Sequence, residues 1–234
     1  GDLAGIQNVS TIELSNDQAA GQTFVLHLDN AAIDRLVNDS EAADAANPEV
    51  LNIGVFNNPL LIAAVSTLNL DLTQVTETYL GVNVTGGDGS QIITVTGGTN
   101  VSIDGGDGDD IITGGAGADT LTGGNGADTF VYLTAADSTA TATDLITDFI
   151  AGTDVIDLDA LFAGGPAAPA AITAAAGALT GAAAEFGGNE VAFWFDGTNT
   201  IVYVDASGDD AFGAGDLMIN LTGNIALTAA DFLI

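Results

Sequence analysis

The chain has 234 residues, with one Lys or Arg against 32 acidic side chains and a formal charge of −31. A single cation cannot neutralise a phosphate backbone, which excludes nucleic-acid binding, and an anionic membrane surface would repel the chain. Cysteine is absent, which excludes disulfides, thiolate metal sites and cysteine nucleophiles.

In chain order, Val9 to Leu14 alternates apolar and polar residues like a half-buried strand. Phe24 to Leu28 reads as a second strand, and Asp29 or Asn30 caps a short helix through Leu36 and Val37. Pro48 and Pro59 punctuate loops. Val65 to Leu70 repeats the first pattern 56 residues on, and Val82-Asn83-Val84 is a further strand. Residues 1–85 are therefore expected to form an irregular, solenoid-like β segment. Gly, Asp and Thr then dominate from Gly86 to Val131, and residues 86–143 are assigned to a roll. The last segment, 144–234, alternates again as far as Phe162, with a turn at Ala151-Gly152-Thr153-Asp154. An Ala-rich stretch at 166–184 is expected to be helical, weakened by Gly177 and Gly181. The 163–184 region is too weakly hydrophobic to span a bilayer. Val191 to Phe195 and Ile201 to Val204 flank a turn-rich Asp196-Gly197-Thr198-Asn199 and predict a hairpin.

Three nonapeptides follow one another without a gap: GGDGDDIIT (105–113), GGAGADTLT (114–122) and GGNGADTFV (123–131). All fit G-G-x-G-x-D-x-U-x, with U a large apolar residue, a known calcium-binding parallel β-helix repeat. Six residues make a turn and three a short strand. Glycine allows the positive φ of the turn and close stacking of neighbouring turns. The aspartate carboxylate and the glycine carbonyls supply the hard oxygens that Ca2+ takes in sets of about six to eight. The candidate metal residues are therefore Gly106, Asp107, Gly108 and Asp110, then Gly115, Gly117 and Asp119, then Gly124, Gly126 and Asp128. Ile112, Leu121 and Phe130 fill the core, and Thr113 and Thr122 are expected to face outward.

Each nonapeptide is half a coil, so turns that stack lie 18 residues apart. Asp110 and Asp128 satisfy this, and so do Asp119 and Asp137. One calcium is expected between each pair. The unit at 86–94 has Gln91 in place of the aspartate, and the next, around Gly97 to Asn100, is out of phase. Both are expected to hold metal weakly or not at all, with Asp88, Asp104 and Asp107 as further oxygens. A flexible acidic linker is the competing reading of this tract, and the regular U positions argue against it. The expected fold is all-β: a parallel β-roll or β-solenoid with Ca2+ in its Gly-Asp turns, followed by a β-rich C-terminal segment.

These repeats resemble those of RTX proteins exported by type I secretion. The resemblance continues through Asp137-Ser138, Asp144-Leu145-Ile146-Thr147-Asp148-Phe149 and Gly152 to Leu158, a run similar to serralysin-like C-terminal domains. The ending, Asp231 before three apolar residues, resembles that group's uncleaved export signal. Residues 1–85 match only loosely, in the manner of RTX surface-layer proteins. The resemblance implies a chain that stays unfolded where calcium is scarce, passes the type I secretion machinery, and folds outside on binding the metal. Gly1-Asp2-Leu3 carries no signal-peptide pattern, so either the chain was cut or it leaves the cell by such a route.

A separate candidate is Asp205, Asp209 and Asp216. Oxygens at relative positions 1, 3, 5 and 12 from Asp205 resemble a dockerin or EF-hand loop, with Asp210 in the usual glycine place. An ordinary acidic hairpin connection explains these residues as well. Asp144, Asp148, Asp154 and Asp157 are further possible ligands that turns and caps also explain. No catalytic residue is expected, because His27 stands alone, and neither H-E-x-x-H nor G-x-S-x-G occurs. Three functions remain. They are a self-associating extracellular surface or filament subunit, the export and calcium module of a larger secreted hydrolase, and an adhesin fragment that binds a host or a sugar such as a cell-surface polysaccharide.

Overall fold

Alternation of apolar and polar residues, broken every few positions by glycine, produces short strands joined by tight turns. A computed structural model describes residues 11–16, 23–29, 49–57, 66–75, 80–98, 100–163, 172–174, 191–209 and 211–234. Up to residue 85 the strands are β1 (Thr11–Asn16), β2 (Thr23–Asp29), β3 (Glu49–Asn57), β4 (Ser66–Gln74) and β5 (Leu80–Thr85). The Gly-Asp tract gives β6 (Gln91–Thr96), β7 (Val101–Asp107), β8 (Ile111–Thr113), β9 (Thr120–Asn125) and β10 (Thr129–Val131). Then come β11 (Asp144–Ile146), β12 (Val155–Asp157), the one-turn helix α1 (Asp159–Phe162) and β13 (Ile172–Ala174). The chain closes with β14 (Val191–Phe195), β15 (Asn199–Val204), β16 (Leu217–Thr222) and β17 (Phe232–Leu233).

From β1 to β12 successive strands alternate between two sheets, which is what a half-coil repeat dictates, whereas β13 to β16 share one sheet. One sheet runs β1-β3-β5-β7-β9-β11-β16-β15-β14-β13, and the other β17-β12-β10-β8-β6-β4-β2. Among the described strands pairing is parallel throughout the roll, and β14-β15 and β15-β16 are antiparallel. The expected all-β parallel roll is what forms. The repeated pattern at Val65 to Leu70 does not place β4 beside β1, since the two lie in different sheets.

The core consists of two facing columns. Ile53, Val84, Ile103, Leu121, Ile146 and Leu221 stand in register up one sheet. Leu68, Ile93, Ile112, Phe130, Ile156 and Phe232 stand in register up the other. All twelve are buried. The three U residues thus sit mid-column, and the column continues well beyond the three perfect repeats. Full burial of each such side chain stabilises the roll by about 1.5–3 kcal/mol.

Two expectations need correction. The Ala-rich stretch contains β13, which pairs parallel with β14; Ile172 and Thr173 are β-branched, and a free sheet edge overrides the local helical preference of alanine. The rest of that stretch lies outside the described residues, as does the helix expected after Asp29. Thr113, expected to face outward, is buried, beside Thr94 across the β6-β8 ladder. The hairpin at 191–204 forms, with Asp196 Oδ1 accepting from Thr198 N at 2.7 Å and Asn199 N at 2.8 Å to close its turn.

Candidate metal centre

The turns between strands stack along two edges of the roll. The first edge carries the turns leading into β6, β8, β10 and β12. There the backbone N–H of Gln91 donates to Asp110 Oδ1 at 2.6 Å, Asp110 N–H donates to Asp128 Oδ1 at 2.9 Å, and Asp128 N–H donates to Asp154 Oδ1 at 3.0 Å. Each aspartate thus uses one oxygen to hold the preceding coil. The other oxygens of Asp110 and Asp128 are buried and have no hydrogen-bond partner. Each of these oxygens lies over the first glycine of its own repeat. A Cβ on Gly105 or Gly123 would collide with the Oδ2 of Asp110 or Asp128.

Both ends of this ladder are closed without such an orphan. Asp154 Oδ2 accepts from Ile150 N at 2.7 Å. Gln91, buried in the aspartate position, turns its own amide onto its turn: Nε2 donates to Gly89 O, and Oε1 accepts from Gly87 N at 3.4 Å. The glutamine supplies a donor where an aspartate would leave a bare charge. This is the physical reason that the degenerate unit can stack without metal.

The second edge carries the turns leading into β7, β9 and β11. Val101 N–H donates to Asp119 Oδ1 at 2.9 Å, and Asp119 N–H donates to Asp144 Oδ1 at 2.8 Å. Asp144 N–H donates to Ser138 Oγ at 2.8 Å. The Oδ2 atoms of Asp119 and Asp144 are buried and unpartnered. The stacked place that spacing assigned to Asp137 therefore belongs to Asp144, 25 residues beyond Asp119. The coil between β10 and β11 is longer than one repeat, and the pairing of Ile146 with Leu121, not the residue count, sets which aspartate lands there. Asp137 spends its carboxylate locally. Its Oδ2 accepts from Leu133 N at 2.8 Å and Thr134 N at 3.0 Å, and its Oδ1 from Thr134 Oγ1 at 2.7 Å.

Burial raises the carboxyls of Asp110 and Asp119 to about 7, with neighbouring aspartates adding to the effect. Asp128 is raised to about 6 and Asp144 to about 8 for the same reason, the charge of Asp119 reinforcing burial at Asp144. Four buried carboxylate oxygens without donors would be costly as bare charges. The sequence offers one Lys or Arg in all. A hard cation bound by carboxylates fits this donor set.

The glycines complete the geometry. Gly106, Gly108, Gly115, Gly117, Gly124 and Gly126 all have positive φ. At Gly124 (φ +100°) an added Cβ would strike the backbone carbonyl of Gly106 in the coil before it, so this position needs both the backbone freedom and the bare Cα. Outside the buried ladder runs a second one that the repeat pattern did not reveal. Asp109 N–H donates to Ser90 Oγ at 3.3 Å, Ala127 N–H to Asp109 Oδ1 at 2.9 Å, and Ala118 N–H to Asn100 Oδ1 at 2.9 Å. The fifth repeat position is a free "x" in the motif, which hides this role. Asp107, the expected extra oxygen, accepts from Asn125 Nδ2 at 2.7 Å and lines an edge groove with Asp88 and Asp148. Asp148 accepts from Gly123 N and Gly124 N at 3.0 and 2.8 Å. Asp157 accepts from Asp159 N at 3.0 Å.

The third candidate also comes together. One carboxylate oxygen from each of Asp205, Asp209 and Asp216 lies within 4.8 Å of the others, and Asp205 and Asp216 are buried. Their oxygens are already engaged by the loop. Asp205 Oδ1 accepts from Gly208 N at 2.6 Å, and Asp216 accepts from Ser207 N at 3.0 Å and Gly213 N at 2.7 Å. Both sequence readings, metal loop and hairpin connection, survive this geometry.

No curated protein matches the chain significantly. Two similar solved structures come from the mannuronan C5-epimerase of Azotobacter vinelandii. Its AlgE6R3 subunit is 28% identical over 65% of this chain and 77% of its own, with a TM-score of 0.43. Its AlgE6R2 subunit is 24% identical over 82% of this chain and 94% of its own, with a TM-score of 0.34. Residues 82–234 match the family described as peptidase M10 serralysin C terminal. That span holds both aspartate ladders, the orphaned carboxylates found among the described residues and the antiparallel strands that follow, and the chain belongs to the peptidase M10 serralysin C-terminal family.

Proposed function

We propose that the protein is an extracellular structural module whose roll folds on binding Ca2+, and that it acts as a subunit of a surface layer or filament after type I secretion. The observation that carries the calcium reading is the set of four buried, unpartnered oxygens on Asp110, Asp119, Asp128 and Asp144. Domains of this family are calcium binders of secreted proteins, and a carboxylate set of this kind suits a metal scarce inside cells and abundant outside. Apart from metal, the folded chain has to protonate these groups or bear their repulsion. Coupling of metal binding to folding follows.

The assembly reading is supported by the repeating coils, whose sheets end, among the described residues, in the strands β1, β2, β13 and β17, and edge strands are where another chain can pair. A second reading has its own support. The matched family is by description the C-terminal part of a peptidase, so the chain is also suited to be the calcium and export module of a larger secreted hydrolase. An adhesin that holds a surface polysaccharide is a third use of the same module.

Circular dichroism tests the calcium reading. Chelation should strip β structure from residues 86–160, and millimolar calcium should restore it. An unchanged spectrum on chelation would overturn the reading. Electron microscopy of the calcium-loaded protein tests assembly: ordered arrays or filaments support it, and a monodisperse monomer at high concentration counts against it. A zincin or lipase segment in the same reading frame would favour the hydrolase module.

A further inference from the structure

The two edges are not chemically equal. On the second edge Tyr132 follows β10, and its ring is buried. Its hydroxyl is one of the buried polar atoms without a hydrogen-bond partner. A buried tyrosine hydroxyl normally finds a partner. The groups that act on this phenol are Asp144, Asp119 and Asp137; besides burial, their charges and the close approach of the Asp144 carboxylate, short of a well-aligned hydrogen bond, push it well above its ordinary range. Two of those three, Asp119 and Asp144, are the residues whose Oδ2 atoms are themselves orphaned. Three buried oxygens without a well-aligned hydrogen bond thus lie on one edge, two carboxylate and one phenolic, with the phenol close to Asp144 and the charge of Asp137 behind them. Asp110 and Asp128, on the first edge, have no aromatic hydroxyl among the groups acting on them.

We infer that the Tyr132 hydroxyl belongs to the second-edge cation seat, as a neutral oxygen that sets the affinity of the Asp119–Asp144 pair for a divalent cation and leaves the first edge untouched. This inference rests on the calcium reading above. Calcium accepts neutral oxygens beside carboxylates, and a hydroxyl at a carboxylate pair adds an oxygen without adding to the repulsion. The ring contributes to the core in any case, so the hydroxyl alone is at issue.

The test uses the full chain, calcium titration calorimetry and tyrosine-sensitised terbium luminescence. In Tyr132→Phe one class of calcium sites should weaken by about 10- to 100-fold, the range typical when a residue supporting a metal site is lost. The other class should keep its affinity. Tyrosine-excited terbium emission should fall in Tyr132→Phe and in Asp144→Asn and persist in Asp128→Asn, whose lesion is on the first edge. If Tyr132→Phe does not fold, the contrast between the Asp144→Asn and Asp128→Asn emission decides the matter. Unchanged affinities and unchanged emission in Tyr132→Phe, with calcium bound normally by the unaltered chain, would overturn the inference and leave the calcium reading standing. An unaltered chain that binds no calcium would overturn both.

Discussion

The two edges of the roll use one device with different regularity. On the first edge the residues linked through the buried ladder are 19, 18 and 26 positions apart, and on the second 18 and 25. Each edge nevertheless carries two orphaned carboxylate oxygens. What is preserved is the alignment of the strands, which places an aspartate at the head of β9 or β11 whatever the length of the turn before it. Extra residues are absorbed outside the ladder, as in the 132–143 coil, where Asp137 and Ser138 tie the longer path down. The first edge closes itself with a glutamine amide and a backbone N–H, while the second brings in a serine hydroxyl at Asp144 N and a phenol. The first edge is therefore a repeat with sealed ends, and the second a repeat that merges into the C-terminal strands through the β11-β16 pairing.

The harshest way to break the comparison is to disrupt the stacking itself. Gly124→Val combines a β-branched side chain with φ +100° and a Cβ driven into the Gly106 backbone. It should prevent both edges from forming even in excess calcium, seen as loss of the β signal in circular dichroism. Gly152→Ala is the control. Its φ is +79°, but an added Cβ would meet nothing within 4 Å, so only the backbone preference is lost, about 1 kcal/mol in a denaturant melt.

The next largest effect separates register from spacing. Asp144→Asn should remove one calcium from the titration and cost about 1–3 kcal/mol, because a charged acceptor inside the buried ladder is lost. Asp137→Asn should leave the calcium count unchanged and weaken only the Leu133–Thr134 turn, by about 1 kcal/mol or less. If Asp137→Asn removes a calcium and Asp144→Asn does not, spacing and not register chooses the ligand.

How much of this was legible beforehand follows the same division. The nonapeptides announced the roll, the core column and Asp110, Asp119 and Asp128, because glycine, aspartate and the U residue each have one place in the turn. Asp144 was legible only as one possible ligand among several, since its place depends on which strand pairs with which across an irregular coil. Tyr132 looks in sequence like a core aromatic, and nothing local says that its hydroxyl is buried where the charges of Asp144 and Asp119 act on it. β3 carried a readable signal in Leu51-Asn52-Ile53 between Pro48 and Pro59. β13 did not, because its alanine-rich surroundings favour helix and only the β14 edge makes it a strand. The outer ladder through Asp109 was invisible because the motif leaves that position free.

A pH series sharpens the contrast with a smaller effect. The carboxyls on the second edge are raised to about 7 and 8, and those on the first to about 7 and 6, from the ordinary 3.8. Folded pKa values above the unfolded value mean that the metal-free roll binds more protons than the unfolded chain. Its stability contribution from these groups is full below about pH 4 and is lost as pH rises through about 6–8. Calcium competes with those protons, so its apparent affinity should move the opposite way, falling about tenfold per pH unit for each proton displaced. Acidifying from about pH 8 to 6 should therefore empty the second edge before the first, read by calcium titration at each pH with Asp144→Asn marking the second-edge component. Loss from both edges at the same pH would mean that the phenol and the Asp119–Asp144 pair do not set the second edge apart.

The smallest effect distinguishes the buried ladder from the exposed one. Asp109→Ala removes the acceptor for Ala127 N–H at a position open to solvent. Water can take over that N–H, so the cost should be at most about 0.5–1.5 kcal/mol, the range for an ordinary hydrogen bond. Asp109 also adds its charge to Asp110 and Asp128, raising both. Removing it relieves that repulsion in the metal-free chain but takes negative charge away from the first-edge seat. Denaturant melts should then show a smaller loss of stability at limiting calcium than at saturating calcium, while the second edge keeps its affinity. An equal loss in both conditions would mean that the outer ladder acts through its hydrogen bond alone. A loss of second-edge affinity would show that the two edges are coupled through the core, and the comparison between them would no longer hold.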